Sequence, residues 1–220
     1  MGKRANADSG TKQRVLESAC RLFAEKGYRD TTVQEICEQA NANIAAVNYY
    51  FRDKETLYIE ALRYACELAS QAYPLDGGLP EAAPPEEHLR AHVEANVRRI
   101  LSDGPSSYFP RMRVKEMAEP TAAHRTLMKE IMRPFREHLE GVLVELLGDD
   151  ADVKLCRLCA LSVFSQFLIL GFGRASRARL FKARRKSRPP SVEDLIDHIT
   201  RFSLAGIRAM REQIRKRPHA

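Results

Sequence analysis

Apolar residues recur every three or four positions along most of the chain, and no segment alternates convincingly at a period of two. Val15, Ala19, Leu22 and Phe23 mark a first helix over about residues 11–26, with Gly27 as its stop. Thr32 followed by Glu35 reads as a capping box opening a second helix, whose buried stripe is Val33, Ile36, Cys37 and Ala40. Asn41 stands where the chain must turn, and Asn tolerates a left-handed backbone better than most residues. Asn43 then caps a third helix over 44–50. A fourth helix starts near Asp53 or Lys54 and runs to about Ala72, with Leu57, Ala61, Tyr64, Ala65 and Leu68 on one side. The stretch "PLDGGLPEAAPPEE" is a loop. Further helices are predicted at about 86–102, 107–118, 122–147, 151–173 and 191–215, the long one kinked at Pro134. Eight or nine helices with short connections predict an all-α fold.

Composition narrows the function classes. Residues 1–10 contain no apolar core of a signal peptide, and Asn6 breaks the myristoylation pattern. The most apolar segment, 155–172, holds Arg157, Ser162, Ser165 and Gln166, which favours a buried helix over a membrane span. Five scattered cysteines argue for a reducing, cytoplasmic location and against a disulfide framework. Cys156 and Cys159 have CxxC spacing but no second Cys or His pair, so no metal is expected there. No GxSxG, P-loop, HExxH or triad-like setting is present, so neither catalytic residues nor a cofactor are expected.

The net charge of +7 points to an anionic partner, but it is unevenly spread. Residues 1–60 carry nine basic and nine acidic side chains. Most of the excess lies in "RASRARLFKARRKSR", with eight basic groups and no acidic one, read as a solvated loop. Within 1–60, Lys12, Arg14, Arg52 and Lys54 are candidates to gather on one face, and Lys3 and Arg4 belong to an N-terminal arm.

The second and third helices, joined by three residues around Asn41, form a helix-turn-helix, which sets a short helix at a steep angle so that it can enter a major groove. Ala45 and Ala46 would let the backbone approach closely, one tyrosine of "NYYF" would reach a phosphate, and Phe51 would close the core. The run from Val15 to Leu62 resembles the TetR/AcrR-type transcriptional regulators. The matching marks are Leu22-Phe23, Gly27-Tyr28, Thr31-Thr32, Ile36, Ala40, Tyr49-Tyr50-Phe51, Lys54 and Leu57. "ANIAAVNYYF" is similar to a subgroup whose recognition helix has Asn48 where the common pattern has an aromatic.

The resemblance implies an N-terminal helix-turn-helix domain over 1–57, with the motif at about 32–51, and an effector-binding and dimerisation bundle over 58–220. It assigns DNA contacts to Thr32, Asn43, Ile44, Ala45, Ala46, Asn48, Tyr49 and Lys54. Plain capping for Thr32 and Asn43, and core packing for one tyrosine, are the competing readings. It implies a homodimer on a palindromic double-stranded operator, released as a repressor by a small-molecule effector, with no membrane partner. An activator or adaptor that uses the motif without an effector is the alternative. Effector contacts are expected among Phe109, Arg113, Glu116, Met117, His124, Met128, Met132 and Phe135, a mixture of aromatic, Met and polar groups suited to an adaptable apolar site. An ordinary amphipathic core is the competing reading for each. His124 and His138 lack metal-ligand spacing and read as surface or core residues.

Overall fold

The structure, a computed structural model, describes residues 2–148, 150–171 and 190–216. Among these residues there is no strand. Their contacts divide the chain into two compact units, one built from residues 1–72 and 103–132, the other from 73–102 and 133–220.

The first unit contains α1 (Gly2–Lys26), α2 (Val33–Ala40), α3 (Ile44–Phe51) and α4 (Lys54–Ala72). It also holds a 3-10 turn (Pro105–Ser107), α6 (Tyr108–Ala118), the single turn α7 (His124–Thr126) and a π-helical turn (Leu127–Ile131). Val15, Ala19, Leu22 and Phe23 of α1 are buried together with Ile36, Val47, Phe51, Leu57 and Tyr58. Gly27, at φ 92°, stops α1 and passes its N–H to the Phe23 carbonyl at 2.9 Å. The buried Thr31 hydroxyl donates to the Gly27 carbonyl at 2.7 Å and locks the chain reversal into α2.

The second unit contains α5 (Pro85–Leu101), α8 (Arg133–Leu147), α9 (Val153–Gly171) and α10 (Val192–Arg215). Its core interleaves Leu89, Val93 and Val97 with Leu139, Leu143, Val163, Phe167, Ile196 and Ile207. Ser191 and Asp194 form a capping box at the start of α10. Exposed pairs tie α5 to α10, Arg98 to Glu193 at 3.4 Å and Arg208 to Glu86 at 3.6 Å, each worth about 1 kcal/mol or less. The buried Arg99 guanidinium donates to the Tyr73 carbonyl at 2.9 Å and lies over the Phe135 ring, 5.2 Å from its centroid.

Three expectations change. Helix α1 begins at Gly2 rather than near Thr11, so residues 2–10, expected to be an arm, continue the helix. No proline interrupts them, and adding a residue to an existing helix is far easier than starting one. The single helix expected over 122–147 is divided at Met132, two residues before Pro134. Pro134 has no N–H, and its ring would clash with the carbonyl four residues back. The chain widens instead, and the Met132 N–H reaches the Leu127 carbonyl at 2.8 Å, five residues away. Pro134 then stands in the first turn of α8, where an N–H has no partner to lose. Finally, α9 is buried on one face only. Cys156, Cys159, Val163, Phe167 and Leu170 face inward, while Val153, Leu158, Leu161 and Ile169 are exposed, Leu161 at 60%. By length and composition alone α9 is apolar enough to span a membrane. The basic stretch 174–188 lies outside the described residues.

Candidate nucleic-acid interface

Helix α2 is set at both ends by its own sequence. The Thr32 hydroxyl accepts from the Glu35 N–H at 3.1 Å, and the Glu35 carboxylate accepts from the Thr32 N–H at 2.9 Å. Lys26 reaches the same carboxylate at 2.7 Å. The Lys26 ammonium, with the Thr32 donors, holds the Glu35 carboxyl down at about 2. Thr32 therefore performs the capping role, and helix geometry leaves the N–H groups of Val33 and Gln34 without intrahelical partners. At the other end Asn41 adopts φ 48°, ψ 54°, the left-handed conformation predicted for it, and the next N–H, of Ala42, returns to the Cys37 carbonyl at 2.9 Å. Asn43 caps α3 by accepting from the Ala46 N–H at 2.8 Å.

Helix α3 has two faces. Val47 and Phe51 are buried against the unit's core. Ile44, Ala45, Asn48 and Tyr49 are exposed, and Ala46 is half-buried. The tyrosine pair divides: Tyr49 is 76% exposed, and Tyr50 is half-buried and packs edge-on against it at 4.9 Å. The exposed set is slim and short apart from Tyr49, which suits a helix that must sit deep in a groove.

The basic residues are each held differently. Lys12 lies over the Phe51 ring, 5.9 Å from its centroid. Arg14 is turned toward α2, donating to the Ala40 carbonyl at 3.1 Å. Lys54, half-buried at the start of α4, stands 4.4 Å from the centroid of Tyr28, and burial lowers its pKa. Tyr28 packs on Tyr58 at 5.0 Å, and the buried Tyr58 hydroxyl donates to Glu116 at 3.0 Å. Sequence reasoning missed this aromatic support of Lys54. Gly27-Tyr28 was noticed as a motif, but its contact with a residue 26 positions later has no local signal.

The residues predicted for an effector differ in burial and are divided between the two units. Phe109, Arg113 and Glu116 of α6 are buried, whereas Met117 and Met128 are exposed. Arg113 approaches the half-buried Met132 sulfur at 4.0 Å. Glu116 accepts from the Thr121 N–H at 2.7 Å as well as from Tyr58, and His124 stands 4.0 Å from it. Phe135 belongs to the second unit. There His138 stacks on His92 at 5.4 Å. All five cysteines are free, and burial pushes the Cys20 thiol up to about 12. Among the described residues no cluster of three or more His, Cys, Asp or Glu could hold a metal.

A capped helix-turn-helix with one face of its second helix turned to solvent is an arrangement that can present a short helix to a major groove. The chain belongs to the family of the C-terminal domain of the HTH-type transcriptional dual regulator CecR, whose model matches residues 85–207, and residues 15–61 match the tetR family of bacterial regulatory proteins. CecR of Shigella flexneri is 27% identical over 149 residues, which are 64% of this chain and 66% of that protein. The regulator RutR of Escherichia coli (strain K12) is 36% identical over 98 residues, 43% of this chain and 45% of RutR. The matches thus span less than two thirds of these relatives' own lengths. Two solved structures share the fold. One is AibR, crystallised with isovaleryl coenzyme A and operator DNA, with TM-score 0.65, 19% identity, and coverage of 87% of this chain and 97% of AibR. The other is the fatty acid degradation regulator FadR of Bacillus halodurans, with TM-score 0.66, 16% identity, and coverage of 89% and 98%. The chain has the all-helical architecture predicted for it, and the family models that it matches are those of regulators of transcription.

Proposed function

We propose that the chain is a cytoplasmic homodimeric repressor that binds a palindromic operator and leaves it when a small-molecule effector binds. The observation that carries the DNA part is the exposed face of α3 over its buried anchors Val47 and Phe51. Ile44, Ala45, Ala46 and Asn48 face the groove, Asn48 marking the "ANIAAVNYYF" subgroup. Tyr49 and Lys54 take phosphates, and Thr32 and Asn43 add contacts at their helix N-termini, where backbone N–H groups and the dipole favour an anion. Operator binding is assigned to residues 1–57, and effector binding and dimerisation to 58–220.

The exposed apolar side chains of α9, with Phe202 of α10 at 66% exposure, support dimerisation through these two helices. Monomeric proteins rarely leave such a patch open. For the effector, the buried Phe109 and Arg113 beside Met132 offer an apolar lining with one cation. AibR was crystallised with an acyl-coenzyme A, so an acyl thioester is the first class to test. The test is operator affinity of the purified protein across a panel of acyl-coenzyme A thioesters. At least one that binds should weaken operator binding tenfold or more, about 1.4 kcal/mol of coupling. Equal operator affinity with every thioester that binds would overturn release by this class. The name of CecR, a dual regulator, favours a second reading in which the same dimer activates some promoters.

A further inference from the structure

The connection between α3 and α4 has an unusual backbone. Phe51 accepts from the Asp53 N–H at 2.7 Å, closing a three-residue turn around Arg52 at φ 68°, ψ −53°. These are the dihedrals of the γ-turn of positive φ, a rare and strained conformation for a residue with a Cβ. Among the described residues the other positive-φ positions are five glycines and Asn41, and Asn41 occupies the left-handed well that asparagine tolerates. Arg52 is thus the one such residue for which glycine would be the relaxed choice.

Nothing within the fold repays that strain through the side chain. The Arg52 side chain is 90% exposed, and its contact is the neighbouring Asp53 carboxylate at 3.4 Å. Asp53 already serves as the cap of α4, accepting from the Thr56 N–H at 2.8 Å. Besides the carboxylates of Asp53 and Glu55, basic and aromatic side chains neighbour the turn in sequence. Lys12 sits over the ring of Phe51, Lys54 follows two residues on, and the exposed Tyr49 precedes by three. Ile44 and Asn48 are exposed along α3, and Arg52 is exposed at its C-terminal end.

We propose that Arg52 is a phosphate clamp: the strained turn holds its guanidinium against the DNA backbone at the edge of the groove that receives α3, and so fixes the depth and register of the recognition helix. The inference rests on the assignment of α3 as the groove-binding helix. It adds a third contact to those proposed for Tyr49 and Lys54, and it gives a role to the positive-φ backbone of Arg52.

The experiment compares the wild-type chain with Arg52→Gly and Arg52→Lys, reading the thermal midpoint and the salt dependence of binding to a selected operator. Glycine relaxes the turn and removes the cation, so R52G should melt at or above the wild-type midpoint while its operator binding weakens. Each neutralised phosphate contributes about 0.9 to the slope of log affinity against log salt, so the slope should fall by about two per dimer. R52K keeps a point charge and should keep the wild-type slope, whereas an arginine reading a base edge in two-pronged fashion would not be replaced by lysine. An R52G midpoint well below wild type would assign Arg52 to folding and overturn the clamp, as would loss of the slope in R52K. A wild-type slope retained in R52G would overturn the clamp alone. A wild-type protein with no salt-dependent binding to any selected duplex would overturn the reading of α3 itself.

Discussion

At the scale of single residues, the proposed interface lets the buried and exposed faces of α3 be tested separately, for folding and for DNA binding. Val47 and Phe51 are buried, while Tyr49 is the most exposed of the aromatics next to them. Replacing Tyr49 by Phe removes one hydroxyl that touches nothing buried, so the melting temperature should stay within a degree or two. A hydrogen bond to a charged phosphate contributes about 1.5–3 kcal/mol, so operator affinity should fall at least tenfold by fluorescence anisotropy. Unchanged affinity in Y49F would remove Tyr49 from the interface. A second residue sets a pH dependence. Burial holds the pKa of His138 below its ordinary 6.5; His88 and Arg99 act in the same direction, while Asp76 and a hydrogen bond with the Leu75 backbone oppose it, and His92 stacks on the ring. The unfolded chain therefore binds this proton more readily than the folded one. Stability from His138 is fully present above about pH 6.5 and is lost as the pH falls through the depressed folded value. Denaturant midpoints measured from pH 8 to pH 5 should drop toward acid, and His138→Gln should flatten that drop. An equal drop in the variant would place the acid sensitivity elsewhere.

At the scale of elements, legibility followed how local each signal is. The turn of the helix-turn-helix was readable because Thr32, Glu35, Asn41 and Asn43 act on backbone groups within four residues, and each does in the structure what its side chain permits. The γ-turn at Arg52 was not readable, since arginine carries no preference for positive φ. The break before α8 was predicted from Pro134 but displaced to Met132, because the clash is with a carbonyl one turn earlier and the helix relieves it there by widening. The support of Lys54 by Tyr28, and the stacking of His92 on His138, join residues far apart in sequence and leave no periodic trace. Helix α9 was legible as the most apolar segment, but sequence could not say which of its faces the chain itself would cover. Leu161, on the uncovered side, gives the test of that element. Leu161→Lys buries no charge within the protomer, so folding should be retained by circular dichroism, while sedimentation should shift from dimer to monomer at micromolar concentration. A dimer as stable as wild type would move the interface away from this face of α9.

At the scale of the whole molecule, the account joins a reading head to a second copy of itself. One eight-residue recognition helix reaches only a few base edges, each good bidentate contact being worth about 1–3 kcal/mol, so specificity at genomic scale calls for two half-sites. A dimer of two-fold symmetry places those half-sites in opposite orientation, with centres about 34–36 Å or a multiple of that apart. The families that the chain matches are those of transcriptional regulators, and its symmetry on DNA is the central claim. The most direct measurement is selection of bound duplexes from a random library by the full-length wild-type protein, followed by sequencing of the enriched pool. The account predicts one enriched motif with inverted half-sites whose centres lie about one helical turn or a whole number of turns apart. Enrichment of a single asymmetric half-site, or of no motif at all, would contradict it.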